Sequence, residues 1–411
     1  MSLELDALKV IKVDVEDAGS YNATQSFPGA FLDFPYKEGT LEIATNQEML
    51  DPAVGTVCID GMPVAKIPGI KSCTATLTST LHSHGQDLDG DVTPTDGDSW
   101  ALARVLKAVM GGMTSAGTEA AQTTVQSGST STVVNVTTSH GDRFAAGKAI
   151  GLTTSAGYEV REVESVSTDA ITLRKALSGA PTTGTAVRGG ISFYLTSDPD
   201  TSLQLVYEGR ELSDRVLLKG MQGGMALTVA PGQLPEISFS LTGATWSNLS
   251  DGSDVPSCPS YSLYSPPVVS SAELLFAAHS GTTRTAIDWS ACTLTPSLTY
   301  AAVKSGGSAE TVKRMKRQRS VPALSGSFVM PLESTAIFDT WAAKTYQMLT
   351  LQLGTSAGLT LLITVPKVQI VNVQRSASES GLAGLTVSFE ATEDSLGTTD
   401  LLKSAFRIHA I

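Results

Sequence analysis

Asp, Glu, Lys and Arg make up only 17% of this chain, so the places where ionisable residues cluster are the first to test for chemistry. The densest is Lys313-Arg314-Met315-Lys316-Arg317-Gln318-Arg319, a run of five cations. It fits three roles: contact with nucleic-acid phosphates, a solvated loop, or a plug into an acidic partner surface. Its acidic opposite is the segment Asp87–Asp98, where Asp87, Asp89, Asp91 and Asp98 follow the ligand spacing of a calcium loop. Val92 stands where that loop needs glycine and Pro94 interrupts it, so a solvated acidic loop is the better reading. His82 and His84 share one side of a strand but lack a third ligand. Gly141–Lys148 has one residue too many between its glycines for a phosphate loop, and Ala149 replaces the Ser or Thr that would hold the metal. Gly112–Gly117 misses the nucleophile-elbow spacing by one residue. With only five histidines and no nucleophile, base and orienting acid together, the expectation is a protein that is not an enzyme and has no cofactor or metal.

The net charge of −12 argues against attraction to nucleic acid. Four cysteines, Cys58, Cys73, Cys258 and Cys292, are widely spaced and read as free, mostly buried thiols. The first residues lack a basic, apolar leader, and no apolar run approaches a membrane span, so folding in a cytoplasm is expected. At 411 residues the chain suits two or three domains, and its abundance of Thr, Ser, Ala and Gly suits short strands.

The elements that carry these residues read as follows. Cys73–His82 alternates Cys73, Ala75, Leu77 and Leu81 on one face with Thr74, Thr76, Thr78, Thr80 and His82 on the other. Cys292–Tyr300 does the same, with Thr293, Thr295, Ser297 and Thr299 on its polar face. One face packs on a core, and the other is neutral and polar, suited to water or to a surface over which something slides. Asp98–Gly112 reads as a capped helix closed by Gly111, and a second helix near 334–344 carries Ile337, Phe338 and Trp341; Trp100 and Trp341 are read as core residues. Each helix is followed by three strands: 203–208, 216–229 and 235–242, then 348–353, 359–373 and 384–392. The two halves thus spell one short domain twice, and Cys73–Leu81 and Cys292–Tyr300 share four of nine positions.

The expected organisation is an arm at 1–40, a first unit at 41–113 and 194–245, and a small inserted all-β domain at 114–193. A Pro/Ser-rich linker at 246–268 leads to a second unit at 269–411. The arm, with Tyr21, Phe27, Phe31, Phe34 and Tyr36, either folds over its own core or docks on a neighbouring subunit.

With these units in hand, the chain resembles the tail tube proteins of long, non-contractile-tailed bacteriophages. The resemblance rests on Lys71–Gly85 followed by the Trp100–Gly112 helix, and on Leu218–Gly243 with its glycine-kinked hairpin. Pro266–Val269, Phe338–Trp341, Leu349–Gly354, Leu361–Gln369 and Leu385–Ala391 follow in the same order. It implies a mainly β (α+β) fold of two tandem tail-tube β-sandwich domains, each with a flanking helix, plus the insertion. Inner sheets of neighbouring copies would join edge to edge around a lumen. Two such domains in one chain would close as a trimer with pseudo-sixfold symmetry, with a hexamer as the alternative. The implied role is a structural virion protein of the tail, assembled in the host cytoplasm, whose rings stack into the tube that delivers the genome. The implied partners are itself, the tape measure, terminator and distal tail proteins, and phage DNA that passes through without specific binding; no membrane is involved. On this reading Lys313, Arg314, Lys316, Arg317 and Arg319 make inter-subunit or inter-ring contacts. Thr74, Thr76, Thr78, Thr80, Thr293, Thr295, Ser297 and Thr299 are lumen candidates. A distal-tail or baseplate ring of the same fold is one alternative, and a carbohydrate-binding adhesive β-protein is another.

Overall fold

Threonine and the β-branched residues suit a pleated surface buried on one side, and alternating segments of this kind fill much of the chain. The computed structural model is accordingly mainly β, with three short α-helices among the described residues. Those residues are 9–16, 31–50, 67–83, 100–114, 122–196, 199, 201–209, 214–249, 272–304, 312–318, 323–332, 335–377 and 383–411.

Twelve strands form two units of one topology. The first comprises β1 (Lys9–Glu16), β2 (Glu42–Leu50), β3 (Ile67–Thr80), helix α1 (Ala101–Met110), β4 (Ser202–Gly209), β5 (Asp214–Val229) and β6 (Glu236–Gly243). Its strands pair antiparallel in the order β1-β4-β5-β6-β3-β2. The second comprises β7 (Glu273–Ala278), β8 (Ala291–Pro296), β9 (Leu324–Pro331), helix α2 (Ala336–Ala342), β10 (Gln347–Leu353), β11 (Leu361–Ala377) and β12 (Ala383–Ala391). Their order is β7-β10-β11-β12-β9-β8, so each strand has its counterpart six labels later. Even the register shift in the β4–β5 hairpin recurs in β10–β11. Register also fixes residue equivalence: Phe239 stands between Leu77 and Met225 as Val387 stands between Phe328 and Val373.

This pairing corrects the equivalence drawn from sequence. Cys73 lies in β3, whose counterpart is β9, whereas Cys292 lies in β8, the counterpart of β2. Both strands of such a hairpin alternate one buried and one polar face, so alternation cannot tell a strand from its neighbour. The strand expected over Cys292–Tyr300 also divides. Pro296, which has no N–H to donate, ends β8, and Thr299–Lys304 starts a separate ribbon with Val312–Gln318.

One hydrophobic core runs through both units and includes Ala75, Leu77, Phe239, Leu294, Phe328 and Phe389. Helix α1 is buried along most of its length and ends at Gly111, whose φ of 90° only glycine adopts easily. Helix α2 has no buried residue, and Trp341, expected in the core, is 36% exposed. In so short a helix one side reaches the sheet, and Ile337 and Phe338 occupy it. Part of the arm folds over its own core: β1 pairs with β4, and Phe34 is fully buried. Tyr21 and Phe27 lie outside the described residues.

Between Gly111–Thr114 and Ile191–Leu195, which pair with each other, the chain forms a separate six-stranded sheet from Gln122–Thr124 to Ala186–Gly189. A bridge between Val125 and Val136 closes it around Val134, Ile150, Val163 and Ile171. This insertion is anchored on the second unit. Ile191–Leu195 pairs with the C-terminal strand β13 (Arg407–Ala410), which pairs in turn with β11. Beside that seam lies a buried ion cluster. Arg407 Nη1 is 2.7 Å from Glu162 Oε1, and its Nη2 is 3.0 Å from Asp394 Oδ2. Arg174 Nη1 contacts the same two oxygens at 3.0 and 2.6 Å. Burial alone would raise the Glu162 pKa, but the two guanidiniums outweigh it and hold the carboxyl far below the usual range. Burial pushes His409, whose Nε2 is 3.8 Å from Glu162 Oε2, below the ordinary histidine range.

Arg407→Met strands buried carboxylates and should cost about 3–5 kcal/mol in chemical denaturation. Acid should weaken the fold in two stages. The unfolded chain takes up a proton on histidine below about pH 6.5, where buried His409 resists protonation; Glu162 loses its contribution only below about pH 4.3. Melting midpoints measured from pH 8 to 2 should fall in both ranges, and His409→Asn should flatten the upper one.

Candidate functional site

The two units are joined by strand pairing. The end of β5 lies antiparallel to β8, with Leu227 opposite Leu294, Thr228 opposite Thr293 and Val229 opposite Cys292. Leu227, Val229, Cys292 and Leu294 are all buried there, so the core is continuous across the joint. The joint makes one sheet of eight strands, β2-β3-β6-β5-β8-β9-β12-β11. One face of it is the core. The other is a field of small polar side chains.

Directly opposed residues share a face. One row therefore runs Thr80–Glu236–Thr228–Thr293–Ser327–Ser388–Asn372 across seven strands and through the joint. Neighbouring rows are Glu42–Thr76–Ser240–Gly224, Thr78–Ser238–Ala226 and Thr295–Ser325–Glu390–Gln369. The charged members of these rows, Glu42, Glu236 and Glu390, are all carboxylates, and Lys37 Nζ lies 2.5 Å from Glu236. Thr293 and Ser327 bond through their hydroxyls at 2.9 Å.

The structure thus brings Thr74, Thr76, Thr78, Thr80, Thr293 and Thr295 onto one partly exposed sheet face. Ser297 and Thr299 are not in it, because Pro296 ends the strand. Ser297 lines a cleft of about 340 Å³ together with Arg317, and Thr299 opens the ribbon. His82 is also displaced from the polar face: it is buried, its Nδ1–H donating to the Thr80 carbonyl at 2.9 Å and its Nε2 lying 3.4 Å from Trp100 Nε1. Sequence reasoning missed the larger part of the face, contributed by β6, β9 and β12. Ser238, Ser240, Ser327 and Ser388 alternate with buried residues much as the threonines do, and they carry the same signal.

The basic run behaves differently from expectation. It forms one strand of the ribbon, and Arg317 is buried inside the chain instead of facing a partner. All five of its N–H groups are used. Nη1 donates to the carbonyls of Met110 at 3.1 Å and Thr196 at 2.5 Å, and Nε donates to Tyr300 Oη at 3.2 Å. Nη2 donates to the Val109 carbonyl and to Tyr300 Oη. A cation is thereby held against the last carbonyls of α1, the negative end of that helix. Strand alternation is the physical reason: within a ribbon lying on the body of the protein, every second residue points inward. Lys316 is exposed; Lys313 and Arg314 lie in the same strand, and Arg319 is outside the described residues.

Cys73 and Cys292 are buried free thiols, each pushed up to about 12 by burial, so neither is a nucleophile at neutral pH. Cys58, Cys258, His84 and the acidic segment 87–98 lie outside the described residues. Among the described residues no group of His, Cys, Asp or Glu is arranged to hold a metal ion, and no helix is long and apolar enough to cross a membrane.

Arg317→Ala leaves buried carbonyls without donors and should cost about 2–3 kcal/mol. Lys316→Ala, on the exposed side of the same strand, should stay within about 0.5 kcal/mol. Equal effects of the two substitutions on the unfolding midpoint would contradict this division of roles. In comparison with known proteins, the chain matches no family model and no curated protein.

Proposed function

We propose that this chain is a structural, non-enzymatic protein of a bacteriophage virion whose rings stack into a tail tube. On this reading the two units are tandem tube domains, and the eight-stranded sheet is one segment of the wall around the lumen. A trimer gives six such units per ring, the arrangement we favour over a hexamer of twelve. The assembled partners are further copies of the chain and the tape measure, terminator and distal tail proteins, put together in the host cytoplasm. Lys316, with Lys313, Arg314 and Arg319, would meet acidic surface on an adjacent ring; Arg317 has no share in that contact.

The observation that carries the reading is the joint between β5 and β8. It continues one sheet from unit to unit while keeping the polar face unbroken. A wall of Thr, Ser, Ala and Gly whose rows carry only carboxylates, with Lys37 held on one of them, offers phosphate little to attach to and repels it at range. Duplex DNA could therefore slide past it without sticking.

Negative-stain microscopy of the purified protein across a concentration series tests this. Rings or tubes of three- or sixfold appearance are expected, and a compact monomer at every concentration overturns it. Placing lysine along the wall row, as Thr228→Lys with Ser327→Lys and Ser388→Lys, should make assembled particles retain DNA in a salt-dependent manner. Wild-type particles should retain none.

A further inference from the structure

Among the described residues, the joint that unites the two units leaves the same two kinds of edge open on β2 and β11, the outermost strands of the eight-stranded sheet. Register places Leu227, Thr228 and Val229 of β5 in correspondence with Arg375, Ser376 and Ala377 of β11. It likewise places Cys292, Thr293 and Leu294 of β8 in correspondence with Leu41, Glu42 and Ile43 at the start of β2. Within the chain the first set pairs with the second. Among the described residues, the outer edge of β2 and the equivalent edge of β11 at 375–377 have no partner strand. Glu42, Ala44, Thr45, Asn46, Gln374 and Arg375 are exposed.

The helices carry a second, separate observation. The C-terminal end of α1 is covered by the ribbon of the second unit through Arg317 and Tyr300. That ribbon extends the hairpin of β8 and β9, whose counterpart is the hairpin of β2 and β3. Among the described residues helix α2, the counterpart of α1, has no such cover, and Trp341 on it and Tyr346 just beyond it are 36% and 44% exposed. A chain whose first helix needs this cover leaves an apolar helix bare where the same cover is missing.

We infer that a second copy of this chain supplies both missing partners at once. Its β2 edge at residues 41–43 pairs antiparallel with residues 375–377 of the first copy, and its β2–β3 hairpin lies over α2 and Trp341. Arg375 then stands opposite Ile43, Ser376 opposite Glu42 and Ala377 opposite Leu41. The contact is head-to-tail, so it propagates until it closes. The polar face then continues from Ser376 of one copy onto Glu42, Thr76 and Ser240 of the next. This inference rests on the ring-forming reading above and specifies the register and the cover of α2, which that reading leaves open.

Two single variants, Glu42→Cys and Ser376→Cys, test the strand contact when mixed under mild oxidation, because directly opposed residues have Cβ atoms about 4.5–5.5 Å apart. A covalent dimer at least tenfold more abundant in the mixture than in either variant alone is expected. The Glu42→Cys/Ser376→Cys double variant should give a ladder ending at the copy number of the ring. Rings without a crosslink in the mixture would overturn the register and leave the ring reading standing; absence of any assembly would remove both. Trp341→Asp tests the cover of α2: the monomer should keep its melting midpoint while the concentration needed for assembly rises at least tenfold. Unchanged assembly by this variant would overturn the hairpin contact.

Discussion

A sheet edge exposes a row of N–H and C=O groups that must find partners in water, in the same chain or in another chain. Here the second unit satisfies the first by laying β8 along the end of β5. Hydrogen bonds fix the register, and burial of Leu227, Val229, Cys292 and Leu294 supplies the larger stabilisation, about 1.5–3 kcal/mol for each large aliphatic side chain. Because the pleat repeats every two residues, a slip of one position would turn the core face outward and bury the threonines. The joint therefore decides which side of the eight-stranded sheet meets solvent.

The rest of the molecule reinforces that one contact. Arg317 ties the second unit to the Val109 and Met110 carbonyls at the end of α1 and to the Thr196 carbonyl, and Tyr300 braces it. The insertion, although it leaves the chain from the first unit, is anchored on the second by β13 and by the Glu162–Arg407–Asp394–Arg174 cluster. Arg161 adds a further tie, with Nη2 2.7 Å from Glu273 of β7. Glu16, at the end of β1, accepts from Gln204 at 2.7 Å and from the Gly220 backbone at 3.0 Å, locking the first strand onto the kink in β5. Burial raises its pKa, so these donors keep a group in place that water would otherwise reclaim. Each device is polar, buried and nearly saturated with partners, which makes it specific for one arrangement of the units.

The same logic gives the proposed function its physical sense. A wall assembled by edge pairing needs no charged patch on its inner side, so that side is free to stay neutral or acidic. Lys37, the cation at this face, is paired with Glu236, and Arg317 of the basic run is buried and serves the fold itself.

Much of this was legible in the residues: the β-rich character, the duplication, the insertion, the helix ended by Gly111, and the separation of a Thr face from an apolar face. These follow from local rules, since a period of two and a glycine at a helix end are read a few residues at a time. Which strand corresponds to which was not legible, because adjacent strands of a hairpin carry the same alternation; only pairing in three dimensions matched β3 with β9. Local sequence likewise could not tell that Arg317 turns inward while Lys316 turns out, or that Trp341 stays uncovered while Trp100 is enclosed. The number of partners a side chain finds depends on segments distant in sequence, and only the assembled fold brings those together.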